Sequence, residues 1–288
     1  MKLLDKLLIP ALILSAILLL IAGAVYLKNR NNQTANTEPV VEKDEFFIVE
    51  ETPDLPEVTE DESSEDTGPD EEQIFRYLAI GNSMTIHRID DLWWGEWGMA
   101  ATTRDSDYVH RVQAGLNERF GTTSISICSF IPWEQAASGA DRLSMLSEIE
   151  PYLNENLDLV TIQLGEGITD VTDLTSDYEK LITYIQAHAP NAQVMIIGNF
   201  WANADVDNAK QQAAANCNAT FIDLSPLTTP ENEAVFRSSV GAQVWGDDGQ
   251  IHTIEDYTAG AHPNDQGMGW IATYILEALQ TGENEINE

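Results

Sequence analysis

From Ile74 onward the chain alternates short apolar runs with longer amphipathic ones. The first run, 74–80, stops at Gly81, as a buried strand does where the backbone must turn. Residues 107–120 place Tyr108, Val109, Val112 and Leu116 at helical spacing. The same reading predicts strands over 124–130, 157–164, 192–198 and 220–224, and helices over 134–150, 175–189, 207–216 and 264–280. Several of the strands are continuously apolar, the pattern expected when helices cover both sheet faces. The pattern therefore predicts an α/β fold, a three-layer αβα sandwich on a parallel sheet, as one domain over 74–288. In such a sheet a ligand site lies beyond the carboxyl ends of the strands.

Two different pieces precede that domain. Residues 7–27 form an uncharged run long enough to cross a bilayer as a helix. A cleavable signal usually has a shorter apolar region, so residues 1–30 read as a single N-terminal membrane anchor. The small residues Ala22-Gly23-Ala24 and the internal Pro10 keep a cleaved signal as the alternative. No cysteine stands directly after the run to carry a lipoprotein anchor, and Lys or Arg flanks both ends, so orientation is not set by charge. Either reading puts the rest of the chain outside the cytoplasm, secreted or at the surface of a bacterial membrane. Residues 31–73 are crowded with acids, with Lys43 the only base, and read as an acidic disordered linker. The alternative for this segment is an acidic tail that binds a cation or a basic partner. Phe46 to Val49 is its one apolar patch and could dock.

Charge then narrows the partners. Lys and Arg number 14 against 48 Asp and Glu, for a net charge of −34. Phosphate neutralisation needs cations, so no nucleic-acid partner is expected, and no basic membrane-binding patch. Two cysteines, Cys128 and Cys217, are too few for a disulfide scaffold and read as buried free thiols. Five scattered histidines without ligand spacing give no metal site.

Two segments carry candidate chemistry. Beyond the first strand stands Gly81-Asn82-Ser83-Met84-Thr85, which would present a serine hydroxyl at the sheet edge. Backbone N–H groups after it could face an oxyanion. A serine capping a helix gives the same pattern, so this segment alone leaves both readings open. Near the other end, Ala261-His262-Pro263-Asn264-Asp265-Gln266-Gly267-Met268 sets a histidine in a loop just before the last helix. Such a histidine can reach over the same strand ends and supply the base that a serine nucleophile needs; otherwise it is a surface loop residue.

Together these segments resemble the SGNH (GDSL-like) hydrolase family, over about 77–278. The supporting blocks are Trp93-Trp94-Gly95 through Trp97-Gly98-Met99-Ala100, Leu164-Gly165-Glu166, and Asn199-Phe200-Trp201. The resemblance implies a flavodoxin-like parallel sheet and esterase chemistry with no metal or organic cofactor. It makes Ser83 the nucleophile and His262 the general base. The oxyanion and substrate positions it suggests are Met84, Trp133, Gly165, Glu166 and Gly167. Three departures stand out. Gly167 occupies the place of an oxyanion asparagine, a loss worth about 3–4 kcal/mol where such a donor acts. Ile131-Pro132-Trp133-Glu134 replaces the second-block glycine, although a backbone N–H there could still donate. Ala259 stands where the acid should be, so Asp256 or Glu255 would orient His262, or a Ser–His dyad would act alone.

Other residues have weaker claims. His87 is four residues from Ser83 and could compete as base. Trp93, Trp94, Trp97 and Trp201 could stack on a sugar or pack as a lid. Glu166 could bind substrate or brace its loop. Asp247-Asp248-Gly249 reads as an exposed turn rather than a calcium loop. The function expected is an extracytoplasmic serine esterase that removes O-acetyl groups from a glycan, acting on an acylated small molecule or polysaccharide. A surface-tethered O-acyltransferase and a non-catalytic glycan-binding domain on the same fold are the alternatives.

Overall fold

A computed structural model describes residues 46–51 and 74–279 of the 288. The apolar run 7–27, and with it the anchor or signal, lies outside the described residues. Strands β2 (Phe75–Gly81), β3 (Thr123–Ser129), β4 (Leu159–Gln163), β5 (Gln193–Ile197) and β6 (Thr220–Ile222) pair in parallel. Their order in space is β3-β2-β4-β5-β6, the doubly wound, flavodoxin-like arrangement. The strand order reverses at β2, with β3 on one side and β4 on the other, which opens a crevice at the carboxyl ends of these strands.

Residue alternation explains the three layers. Tyr77, Ala79, Ile125, Ile127, Leu159 and Met195 face one side and pack against α1 (Tyr108–Phe120) and α8 (Asp265–Ala278). Leu78, Ile80, Cys128, Val160, Ile162 and Val194 face the other. There they meet α3 (Gly139–Ile149), α4 (Leu174–His188) and α5 (Ala204–Asn216). With both faces buried, no strand position needs to be polar, hence the continuous apolar runs. Asp107 caps α1 by accepting the His110 N–H at 2.8 Å, and Asn264 caps α8 from Gln266 and Gly267.

The structure differs from the sequence reading in three places. The helix expected over 134–150 is two: α2 (Ile131–Gln135), then α3 after an extended break at Ala136, where the Ser138 hydroxyl caps the second helix. The acidic linker is not spacer throughout. Phe47–Glu51 is a strand, β1, antiparallel to β3 at the sheet edge. Its apolar side is what docks: Phe46 meets Phe130 edge to face, and the Arg88 guanidinium lies 4.5 Å over the Phe47 ring. Glu51 accepts from Arg104 at 2.9 Å. Finally, α6 (Pro230–Phe236), the hairpin β7 (Gln243–Trp245) with β8 (Ile251–Thr253), and α7 (Tyr257–Gly260) fill the span before α8, where no element was expected.

Candidate active site

Ser83 stands just past β2, in a turn built by its neighbours. Gly81 has no room for a side chain, since a Cβ would meet Thr85 Oγ1 at 1.8 Å. Asn82 accepts Thr85 and Ile86 N–H on its carbonyl and Met84 N–H on Oδ1, at 2.9, 3.0 and 3.0 Å. No helix follows; Ser83 is therefore not a helix cap, and its carbonyl takes the Met99 N–H at 2.8 Å from the incoming loop.

His262 arrives from the turn between α7 and α8. Its Nε2 lies 2.8 Å from Ser83 Oγ and its Nδ1 2.8 Å from the Thr258 carbonyl. A carbonyl can only accept, so Nδ1 carries the proton and Nε2 is left to accept from the serine hydroxyl. The imidazole is 2 % exposed, with the Trp201 ring at 4.9 Å, edge to face. Burial drives its pKa down to about 4; the Thr258 hydrogen bond opposes this only in part. At neutral pH it is an unprotonated base.

The expected acid is not there. Asp256 Oδ1 accepts the Ala259 N–H at 2.9 Å and caps α7, the ordinary use of an aspartate three residues upstream. Glu255 is exposed. The orienting group is a backbone carbonyl, which leaves no mark in a sequence.

The oxyanion expectations also need correction. The Met84 N–H is spent on Asn82, and the Trp133 N–H on the Phe130 carbonyl at 3.0 Å, with the Trp133 ring fully buried. Gly165 and Gly167 N–H both donate to the Glu134 carboxylate. Among the described residues that line the cleft, the Ser83 and Ile131 N–H groups are among those with no hydrogen-bond partner. Both are donors open to a developing negative charge.

Glu134 and Lys210 are buried near the serine, and Glu166 is half-buried. Glu166 accepts from Phe200 N–H at 2.6 Å and from Trp201 N–H at 3.4 Å, bracing the loop that carries Trp201. Lys210, fully buried, donates to the Ile197 carbonyl at 2.9 Å and to Asn199 Oδ1. Burial pushes both glutamates up and the lysine down. Gly165, at φ +137, leaves room for the ammonium: a Cβ there would sit 2.7 Å from Lys210 Nζ.

A cleft of about 320 Å³ opens over Ser83 and His262, with Leu92, Ile131, Glu134 and Trp201 on its walls. That volume is near the lower end for ligand pockets and suits a small acyl group. His87 lines it, but its Nδ1 lies 2.7 Å from the Arg88 carbonyl. Trp93 and Trp97 are buried in the core, and Trp94 stacks on His252 at 4.5 Å. They therefore pack the loop and offer no free face to a sugar; Trp201 alone of the four reaches the cleft. Asp247 accepts the Glu96 N–H and Asp248 pairs with His252 in the hairpin turn. Among the described residues no three His, Cys, Asp or Glu side chains are placed to hold a metal ion. Cys128 is a buried thiol, and Cys217 is half-buried.

No family model matches the chain, and no curated protein matches it. Among solved structures it is similar to phospholipase A1 from Streptomyces albidoflavus NA297, with 13% identity over 71% of this chain and 99% of that one, at a TM-score of 0.44. An extracellular lipase from Streptomyces rimosus gives 14% identity, 71% and 100% coverage, and a TM-score of 0.44. An acetylxylan esterase from Geobacillus stearothermophilus gives 15%, 70% and 93%, and 0.44. At such identities and TM-scores the likenesses say nothing of chemistry, which is read from Ser83, His262 and their neighbours.

Proposed function

We propose that the chain is a serine esterase of the SGNH type. The observation that carries this reading is the Ser83 Oγ to His262 Nε2 contact of 2.8 Å, with Nδ1 held by Thr258, at the mouth of a small cleft. The Ser83 hydroxyl gives its proton to His262 as its oxygen attacks an ester carbonyl. The oxyanion is received by the Ser83 and Ile131 N–H groups. Collapse returns the proton to the departing alcohol and leaves an acyl-serine. Water, deprotonated by His262, then releases the acid. Without a carboxylate partner the imidazolium is stabilised by the Thr258 carbonyl and by the oxyanion itself.

The substrate class follows from fit and place. The cleft takes an acetyl-sized group, and Trp201 offers an aromatic wall beside the base. With residues 7–27 as anchor, the domain would act outside the cytoplasm, where acetylated glycans are the abundant esters. O-acetyl removal from a polysaccharide is the activity assigned here. The test compares the full chain with Ser83→Ala and His262→Ala on p-nitrophenyl acetate and on acetylated xylan. Acetate release lost in both variants upholds the reading. Release that survives Ser83→Ala overturns it, and transfer of acetyl to an added sugar in place of release would make the protein an acyltransferase.

A further inference from the structure

Glu134 takes no part in the mechanism above, yet its carboxyl, 5 % exposed, stands on the wall of the cleft. Three N–H groups converge on it. Asn82 Nδ2 at 3.0 Å and Gly165 N share Oε1, and Gly167 N meets Oε2 at 3.2 Å. Glu134 itself follows β3, Asn82 follows β2, and the two glycines follow β4, three adjacent strands. One carboxyl group thus ties together the strand ends that form the floor of the site. All three partners are donors, so a carboxylate satisfies them and an amide would turn an N–H₂ against one of them.

Two further observations point the same way. Gly167 has no positive φ, but a Cβ on it would lie 2.9 Å from Glu134 Oε2. The glycine makes room for the carboxylate. Asn82, held by Glu134 at Nδ2, accepts the Met84 N–H at Oδ1, and so spans the nucleophile from the residue before it to the residue after it.

We propose that Glu134 is a positioning residue for the nucleophile: its carboxylate holds the Asn82 side chain, and through the Asn82–Met84 bond it fixes the turn that aims Ser83 Oγ at His262. The proposal rests on the serine-esterase reading. Misplacement by about 1 Å at a reacting atom can cost about 10²-fold in rate. Glu134→Ala in the full chain is accordingly expected to lower kcat on p-nitrophenyl acetate about 10²-fold with KM little changed. Glu134→Gln, which keeps one acceptor, should fall in between.

Asn82→Ala acts on the same relay, so the double variant with Glu134→Ala should be no worse than the poorer single one. Gly167→Ala should lower kcat in the wild-type background and cost nothing further once Glu134 is alanine. Labelling of Ser83 by a fluorophosphonate, read by intact mass, should slow in step with kcat. A Glu134→Ala kcat within twofold of wild type overturns the proposal, as do losses that multiply in the double variant. If Glu134→Ala does not fold, Glu134→Gln and Gly167→Ala test the same contact from its two sides. Wild-type protein with neither Ser83-dependent turnover nor labelling would instead defeat the esterase reading, and the positioning role with it.

Discussion

His262 and His110 are both buried, yet they are driven in opposite directions. His262 is surrounded by neutral partners, a serine hydroxyl and a backbone carbonyl, and is held down at about 4. His110 lies between Asp107 Oδ1 at 2.8 Å and Glu51 Oε1 at 3.4 Å and is raised to about 9. Burial lowers both; two hydrogen-bonded carboxylates overcome it in one, whereas Asp256 acts on the other without a hydrogen bond and does not. The fold thus keeps one histidine as a proton acceptor and holds the other protonated at neutral pH, where it joins α1 to the edge strand.

The contrast can be broken hardest at Asp107. Asp107→Ala leaves His110 buried without its nearer carboxylate and removes the cap of α1, so about 3–5 kcal/mol of stability should be lost in urea unfolding. The pH dependence of wild-type stability comes next. A histidine at about 9 in the folded chain and 6.5 unfolded stabilises fully below pH 6.5, and that contribution is lost as pH rises through 9. It amounts to up to about 3 kcal/mol, and the corresponding slope should vanish in His110→Gln. On the other side, kcat/KM should hold level through the mildly acidic range. It should fall tenfold per unit only below about pH 4, where His262 gains its proton. An acid limb near 6.5 would mean that the imidazole is not shielded as described. Smallest is Glu51→Gln, which weakens only the longer contact to His110 and the half-exposed pair with Arg104, about 1 kcal/mol or less.

What the sequence disclosed follows from which groups write a signature. β4 and β5 were legible because burial on both faces makes their runs mainly apolar, and α1 and α8 because one stripe faces the sheet. β7, β8 and α7 are short and largely exposed, so no period of theirs is long enough to read. Ser83 and His262 sit in motifs whose residues have local jobs: Gly81 for the turn, Asn264 for the helix start. Thr258 acts through its carbonyl, which every residue possesses, and could not be found by residue type. Asp256 misled because a capping aspartate and a triad aspartate look alike in one dimension. Glu134 escaped notice because its three partners come from strands that only the sheet order makes neighbours.

Without Phe47–Glu51, β3 would become the edge of the sheet. Its free N–H and C=O groups would then be a template for the same strand of a second molecule. A chain cut at residue 73, where composition suggests the domain starts, would bare that template. One cut before 46 would keep it covered. Phe47–Glu51 therefore bears on colloidal behaviour: it closes the sheet with a strand of five residues and sets Glu50, exposed, along the rim, where like charge turns the next molecule away.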